Sequence, residues 1–267
     1  DDPVAISHAA RVMLKNVHLA PGWLGQLEKR LHTLKPHPAF RLFLTMEINP
    51  VVPTSVLRLS RIFLYERAPG LRASLVESLS GIPHERAERR PVERARLLFL
   101  VAWLHAVVQE RLRYAPLGWT KVYEFNDADR RCAFDIVDAW VDAAAGPGGR
   151  TNLSPEKIPW DALRTLLAQS VYGGRVDNDF DQQTLQAFVN AIFTPRAYEA
   201  NFELARLPAG SDGSAARVVY APEGTSLADF MAWINELPAR QSPAWLGLPP
   251  NAETVLLVAQ GREGRSL

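Results

Sequence analysis

Cysteine is almost missing. Cys132 stands alone among 267 residues, so no internal disulfide can form. A reducing, cytosolic compartment fits that usage. Long hydrophobic runs are missing too. The longest apolar stretch, Leu97–Val108, has about 12 residues against the roughly 20 of a membrane span, and reads as a buried helix. No charged-then-apolar leader opens the chain. Because it begins on Asp1 rather than Met, it is expected to be processed or a piece of something longer. An excess of either charge is also absent: 30 Lys and Arg face 29 Asp and Glu, a formal net charge of +1. That balance gives no reason to expect nucleic acid or a membrane surface as partner.

Several catalytic signatures are missing as well. No G-x-x-x-x-G-K-[ST] occurs, so the chain carries no phosphate-cradling P-loop, and G-x-S-x-G, H-E-x-x-H and C-x-x-C are absent. The histidines at 8, 18, 32, 37, 84 and 105 are scattered. His32 and His37 lie closest but lack metal-ligand spacing, and a solvated loop pair is the preferred reading. Cys132 and His105 have the residue types of a nucleophile and its base. A small buried residue on a helix face suits Cys132 better, and a satisfied core histidine suits His105. "DNDFD" (177–181) lacks the glycine and distal glutamate of a calcium loop, and reads as carboxylates gathered at the positive end of a helix.

What is present begins in α/β rhythm. Arg11–Val17 is a strand candidate. Trp23, Leu24, Leu27, Leu31 and Leu34 repeat at helical spacing behind Pro21. "FRLFLTMEI" (40–48) reads as a second strand, apolar on both faces over much of its length, as in covered parallel sheets. A short helix over 52–59 and a third strand, "RIFLY" (61–65), follow. After Pro69 the pattern is helical. Pro91 suits the first position of a long helix to about Tyr114, apolar on all sides in its middle. Asn126 caps a helix with Cys132, Ile136, Val137 and Trp140 on one face. Further helices carry Leu163, Leu166 and Leu167, then Leu185, Phe188, Val189, Ile192 and Phe193. A hairpin with a long polar tip is expected within 203–222, then a helix capped near Ser226 and two last helical pieces. The tryptophans at 103, 119, 140, 160, 233 and 245 read mostly as core. The expected fold is therefore an α/β piece with a partial parallel sheet, followed by a mostly α-helical bundle with a small β-hairpin.

One constellation points to chemistry. In "TMEINP…VLRLSRIF" a buried strand ends on Asn49, a short helix follows, and Arg58 and Arg61 precede the next strand. A strand-end amide can orient water beside a terminal phosphate. Arginines at a module edge can neutralise charge on a neighbour's nucleotide. This is the order of the sensor-1 asparagine and the arginine-finger pair in AAA+ modules, although R-x-x-R alone is common.

The segments "FRLFLTMEINPVVP", "VERARLLFLVAWLHAVVQERLRYAPLGW", "KIPWDAL", "VYGGRVDNDFDQ" and "PAWLGLPPNAETVLL" resemble the cytoplasmic dynein heavy chain family, in the sixth and last AAA+ module of the motor ring. The resemblance covers nearly the whole chain and implies the following. Residues 1–66 are the C-terminal half of the module's α/β subdomain and residues 67–267 its helical lid, ending near the C-terminal domain. "VMLKNVHLA" falls on the Walker B strand, with Lys15 and Asn16 where the acid would stand. Asn49 matches sensor 1, and Arg58 and Arg61 match the finger position with a role in interface contact. Arg175 lies near a sensor-2 position, against which a helix-start or salt-bridge role is preferred. No cofactor is expected in this segment, ATP and magnesium being bound by other modules. The implied partners are neighbouring AAA+ modules and the C-terminal domain of the same heavy chain. Microtubules and accessory chains are reached through the whole motor, in the cytoplasm on the cytoskeleton. The implied work is mechanical, closing the ring and passing on conformational change. Two alternatives remain: a nucleotide-binding AAA+ ATPase whose P-loop half lies upstream, and a free-standing helical adaptor.

Overall fold

The computed structural model describes residues 11–47, 49–64, 68–146, 151–209 and 215–263. The chain divides into two compact units, Asp1–Glu66 and Arg67–Leu267.

In the first unit, β1 (Arg11–Leu14) pairs in parallel with β2 (Arg41–Leu44), in the register Arg11↔Arg41 to Leu14↔Leu44. Parallel neighbours need a crossover. Here it contains α1 (Pro21–Thr33), which starts on a proline whose missing N–H costs the first turn nothing. After β2 comes α2 (Thr54–Leu59). Both helices pack on one face of the sheet, where Val17, Leu24, Leu27, Val52 and Val56 form a small core with Leu14, Leu42 and Leu44.

That core is narrower than the sequence pattern suggests. Of the helical stripe, Leu24 and Leu27 are buried, whereas Trp23 and Leu31 stay 40% and 36% exposed, because a two-stranded sheet is too narrow to cover the stripe. The expected third strand does not form over its described residues. Residues 61–64 have no ladder partner among the described residues, and Ile62, Phe63 and Leu64 are exposed. A strand without a neighbour leaves its backbone groups to water. Tyr65 and Ile48, the expected ends of the third and second strands, lie outside the described residues.

The second unit is helical. Its elements are α3 (Gly70–Ser80), α4 (His84–Glu88), α5 (Glu93–Leu112), α6 (Asp127–Ala145), α7 (Trp160–Thr165), α8 (Asp179–Ile192), α9 (Leu227–Glu236) and α10 (Ala252–Glu263). β3 (Glu203–Leu207) and β4 (Arg217–Tyr220) make the expected antiparallel hairpin. Among the described residues no helix is long and apolar enough to cross a membrane.

Helix α5 is the axis of this unit, since every residue from Arg94 to Val108 is buried. Its aromatic side chains reach α9: Phe99 meets Phe230 at 4.9 Å between ring centroids, and Trp103 meets Trp233 at 6.1 Å. Burying each large side chain contributes about 1.5–3 kcal/mol. The helix begins at Glu93 rather than at Pro91, two residues later than the proline suggests.

The arginines of α5 are buried with it, which is tolerable only when their charge and donors are met. Arg94 forms ion pairs with Asp138, at 2.5 Å, and Asp142 of α6. Arg96 donates to the carbonyls of Ala197, at 2.9 Å, and Pro222. Arg111 donates to the carbonyls of Gly118 and Leu246 at 3.0 and 2.5 Å, with its guanidinium over the rings of Trp119 and Phe188. Burial pulls its pKa down to about 10, against the pull of Asp181.

Asn126 caps α6 through a capping box with Asp129, as its position before the helix suggests. The buried face of α6, however, is Ala133, Phe134, Val137 and Val141, and Cys132 is exposed. The α6 register is thus about one residue away from the face expected from Cys132, Ile136 and Trp140: Ala133 and Phe134 enter the core, and Ile136 and Trp140 are only partly buried against it. After α7 the helix widens into a π turn, Leu166–Val171, in which the Tyr172 amide bonds the Leu167 carbonyl at 3.1 Å. The amide of Gln182 donates to the Ala168 carbonyl at 2.6 Å. Gly173 is required here, since a Cβ would stand 1.8 Å from that same carbonyl oxygen.

Candidate functional site

Of the residues singled out for chemistry, Lys15 and Asn16 follow the carboxyl end of β1, and Asn49 lies in the turn beyond the carboxyl end of β2. In the first of these ends, Leu14 leads to an exposed Lys15 and then to Asn16, which adopts the left-handed conformation, φ 55° and ψ 43°. Asparagine tolerates that region far better than β-branched residues do. The turn redirects the chain into a short 3-10 helix, Val17–Leu19.

The two strand ends are then stitched together. The Thr45 amide donates to the Leu14 carbonyl and the Val17 amide to the Thr45 carbonyl, both at 3.0 Å. The Asn16 amide donates to Thr45 Oγ1 at 3.0 Å, and the Glu47 amide to His18 Nδ1 at 3.2 Å. Asn49 is similarly engaged. Its Oδ1 accepts from the Val51 amide at 2.9 Å, and its carbonyl accepts from the Val52 amide at 3.1 Å. This is a side chain closing its own turn. Glu47, in the loop after β2, carries the carboxylate of this region, and its side chain is 85% exposed. Among the described residues no three His, Cys, Asp or Glu side chains are grouped to hold a metal ion.

Arg58 lies in the last turn of α2 and Arg61 just beyond it. Both are exposed, and neither has an ion-pair or hydrogen-bond partner among the described residues. Guanidinium groups held out in this way are available for planar, bidentate contacts with a neighbour.

The other candidates resolve into structure. His105 Nδ1 lies 3.1 Å from the Tyr172 hydroxyl within the core, and burial pushes that phenol's pKa up. Arg175 pairs with Asp129 at 2.9 Å, tying the segment after the π turn to the cap of α6. His32 and His37 are exposed, and His37 Nδ1 accepts from the Ala39 amide at 3.1 Å.

Within "DNDFD", Asn178 caps α8, its Oδ1 accepting from Phe180 and Asp181 amides at 2.9 and 3.3 Å. Asp181 turns inward, which the helix-start reading missed. It accepts from the Thr120 amide and hydroxyl and from the Tyr123 hydroxyl, at 3.0, 2.5 and 2.7 Å for one oxygen, and so fixes the loop between α5 and α6. The missed signal was "WTKVY" (119–123), whose hydroxyl donors need a buried acceptor.

Two family models cover this architecture. Residues 4–64 match the model described as dynein heavy chain region D6 P-loop domain, and residues 94–252 match the dynein heavy chain AAA lid domain. The chain belongs to the dynein heavy chain family. It is similar to the cytoplasmic dynein heavy chains of Drosophila melanogaster, at 57% identity over 252 residues, and Dictyostelium discoideum, at 52% over 252 residues. That of Caenorhabditis elegans is 53% identical over 250 residues. Each match covers 94% of this chain but 5% of the relative, so the chain spans about one-twentieth of the dynein heavy chains it resembles. It is a dynein heavy chain AAA+ and lid region, and its 267 residues contain no P-loop motif.

Proposed function

We propose that this chain is the sixth AAA+ module of a dynein motor ring, a structural member that transmits conformational change without hydrolysing ATP. The end of β1 is the observation that carries the reading. Lys15 and Asn16 stand where the family's catalytic acid would be, and the Asn16 amide is spent on Thr45 while its backbone turns left-handed. A metal-holding carboxylate and an activated water have no anchor at that strand end. Asn49, at the sensor-1 position, spends its carbonyl oxygen on its own turn. The region D6 description of the first match supports the sixth position.

On this reading residues 1–66 are the C-terminal half of the α/β subdomain and residues 67–267 are the lid. ATP and magnesium belong to other modules of the heavy chain. The direct partners are the neighbouring modules and the C-terminal domain. Microtubules and accessory chains are partners of the complete motor, which works in the cytoplasm on the cytoskeleton. The alternative, a nucleotide-gripping ATPase fragment, would require an acid at the end of β1, and a free-standing adaptor would not need unpartnered arginines beside half a sheet.

Arg58 and Arg61 are interface residues in this proposal. With no nucleotide in the adjoining module, their guanidinium groups pair with protein carboxylates or backbone carbonyls. The double change Arg58→Ala, Arg61→Ala in the complete motor should slow microtubule-stimulated turnover and loosen the ring at that junction. Nucleotide affinity at the main hydrolytic site should stay near normal. Collapse of that affinity while electron microscopy shows an intact ring would make them true arginine fingers and overturn the structural reading.

A further inference from the structure

The helical unit carries a strand with one edge unused. β3 pairs with β4, and among the described residues its other side has no ladder partner. A groove of about 610 Å³ meets the unbroken run from Asn201 to Arg206 and no residue of β4. Successive side chains of a strand point to opposite faces. A groove touched by consecutive residues is therefore bordered by the strand's edge, and here by the edge turned away from β4. The apolar lining comes from Phe188 and Ile192 of α8, Trp103 and Val107 of α5, and Trp245 of the 3-10 turn Pro243–Leu246.

A free strand edge presents N–H and C=O groups that only water satisfies until another strand arrives. The charges beside this edge are already matched. Arg206 pairs with both carboxylate oxygens of Glu203, its Nη2 at 2.8 Å from Oε2, and Arg196 pairs with Glu199 at 3.3 Å. An anionic ligand would have to displace a carboxylate from either arginine. What the groove offers is backbone polarity and apolar surface without net charge. The register shift between Glu203 and Ala205 bends β3. A bent edge accepts a short strand and does not template a growing sheet.

We infer that the groove between β3 and α8 binds a short, extended, uncharged segment of a separate polypeptide, which adds to β3 as a third strand. Main-chain hydrogen bonds to β3 supply part of the affinity, and alternate apolar side chains of the segment enter the pocket beside Trp103, Phe188 and Trp245. β3 is 5 residues long, so the added strand spans about 17 Å at about 3.4 Å per residue. A strand of that size buries much less than the roughly 800 Å² per partner of a stable interface. Such a contact forms and breaks readily, which suits a motif on a visiting chain rather than a permanent joint within the heavy chain. The groove lies wholly within the second unit, so its occupation does not depend on where the segment sits in a ring.

The test uses the purified full-length heavy chain and a phage-displayed library of random heptapeptides. Ala191 lines the groove and is exposed, so Ala191→Trp fills the groove without entering the core. The library is first depleted on the Ala191→Trp chain and then selected on the parent. The expected winners are uncharged, with apolar residues at every second position, and bind the Ala191→Trp chain at least about tenfold more weakly in fluorescence anisotropy. The synthetic winner is then N-methylated in two ways, on its odd or on its even backbone amides. One set faces β3 and the other faces away, so one should weaken binding by about tenfold or more and the other should leave it nearly unchanged. This comparison is made on the parent chain and does not depend on how the variant folds. Failure to enrich any peptide overturns the inference, as it would if the heavy chain itself filled the groove. Enrichment of charged peptides or of helical spacing, binding indifferent to Ala191→Trp, and equal effects of the two methylation sets each overturn it too.

Discussion

The two units meet the same requirement in opposite ways. Helix α5 is apolar on all sides and finds a neighbour on each of them, so even its arginines are enclosed and paired. The strands β1 and β2 carry large apolar side chains on both faces as well, yet only one face has a core and Phe43 and Met13 stand in the open. The same sequence signal thus marks a completed core in one unit and an unfinished one in the other. Periodicity reports what a segment must bury, and not whether the partner lies within the chain.

The largest effect expected from this contrast is in hydrogen exchange of the 267-residue chain. Amides in the middle of α5 open only with the unfolding of the helical unit, whereas those of β1 and β2 sit in a two-stranded ladder with a bare face. The strand amides should exchange faster by about three orders of magnitude or more. Equal protection in both units would mean that the sheet is complete as it stands.

Paired substitutions sharpen the same point. Trp103→Ala removes a ring buried to 1% and packed on Trp233, and should cost about 3–5 kcal/mol in denaturant unfolding. Phe43→Ala removes an aromatic of similar hydrophobicity from the bare face, and should change stability by no more than about 0.5 kcal/mol. An unchanged midpoint for Trp103→Ala would remove α5 from the centre of its unit. A large loss for Phe43→Ala would show that its face is covered within the chain.

The smallest effect lies at alkaline pH. Burial and the hydrogen bond to Asp181 push the Tyr123 phenol up from 10.0 to about 12. Between those values the unfolded chain releases this proton and the folded chain retains it. The contribution of Tyr123 is therefore complete below pH 10 and is lost as pH rises toward 12. In Tyr123→Phe the fall in stability across that window should be shallower than in the parent. An identical slope in the two would show that folding does not raise the pKa of this phenol.

Much of the fold could be read before any coordinates. The caps at Asn126 and Ser226 and the buried run of α5 follow from rules that act within a few residues. The third strand failed because pairing is not local: residues 61–64 have strand composition but no partner among the described residues. Cys132 failed for a subtler reason. Ala133 and Phe134 satisfy the same helical spacing one step further on, and they are the residues that enter the core. At the strand ends the sequence exposed the missing acid at Lys15 and Asn16, but it contained no sign of Thr45 as the group that receives the Asn16 amide, since that bond spans 29 residues. Asp181 was visible as a charge and invisible as the anchor of a loop, for its donors Thr120 and Tyr123 are brought to it only by the packing of α8.

The π turn after α7 gives that helix slack. A helix bonding each amide five residues back, as Tyr172 does to Leu167, holds one residue more than the α form needs to reach the same end point. Loss of a single residue between Leu166 and Val171 would be absorbed by reversion to the ordinary α form, with Tyr172 still facing His105. The same loss within α5, which has no such reserve, would turn everything beyond it by about 100° around the axis. Length variation among relatives of this chain should therefore collect in the π turn, and a relative one residue shorter there would have no use for Gln182 opposite Ala168.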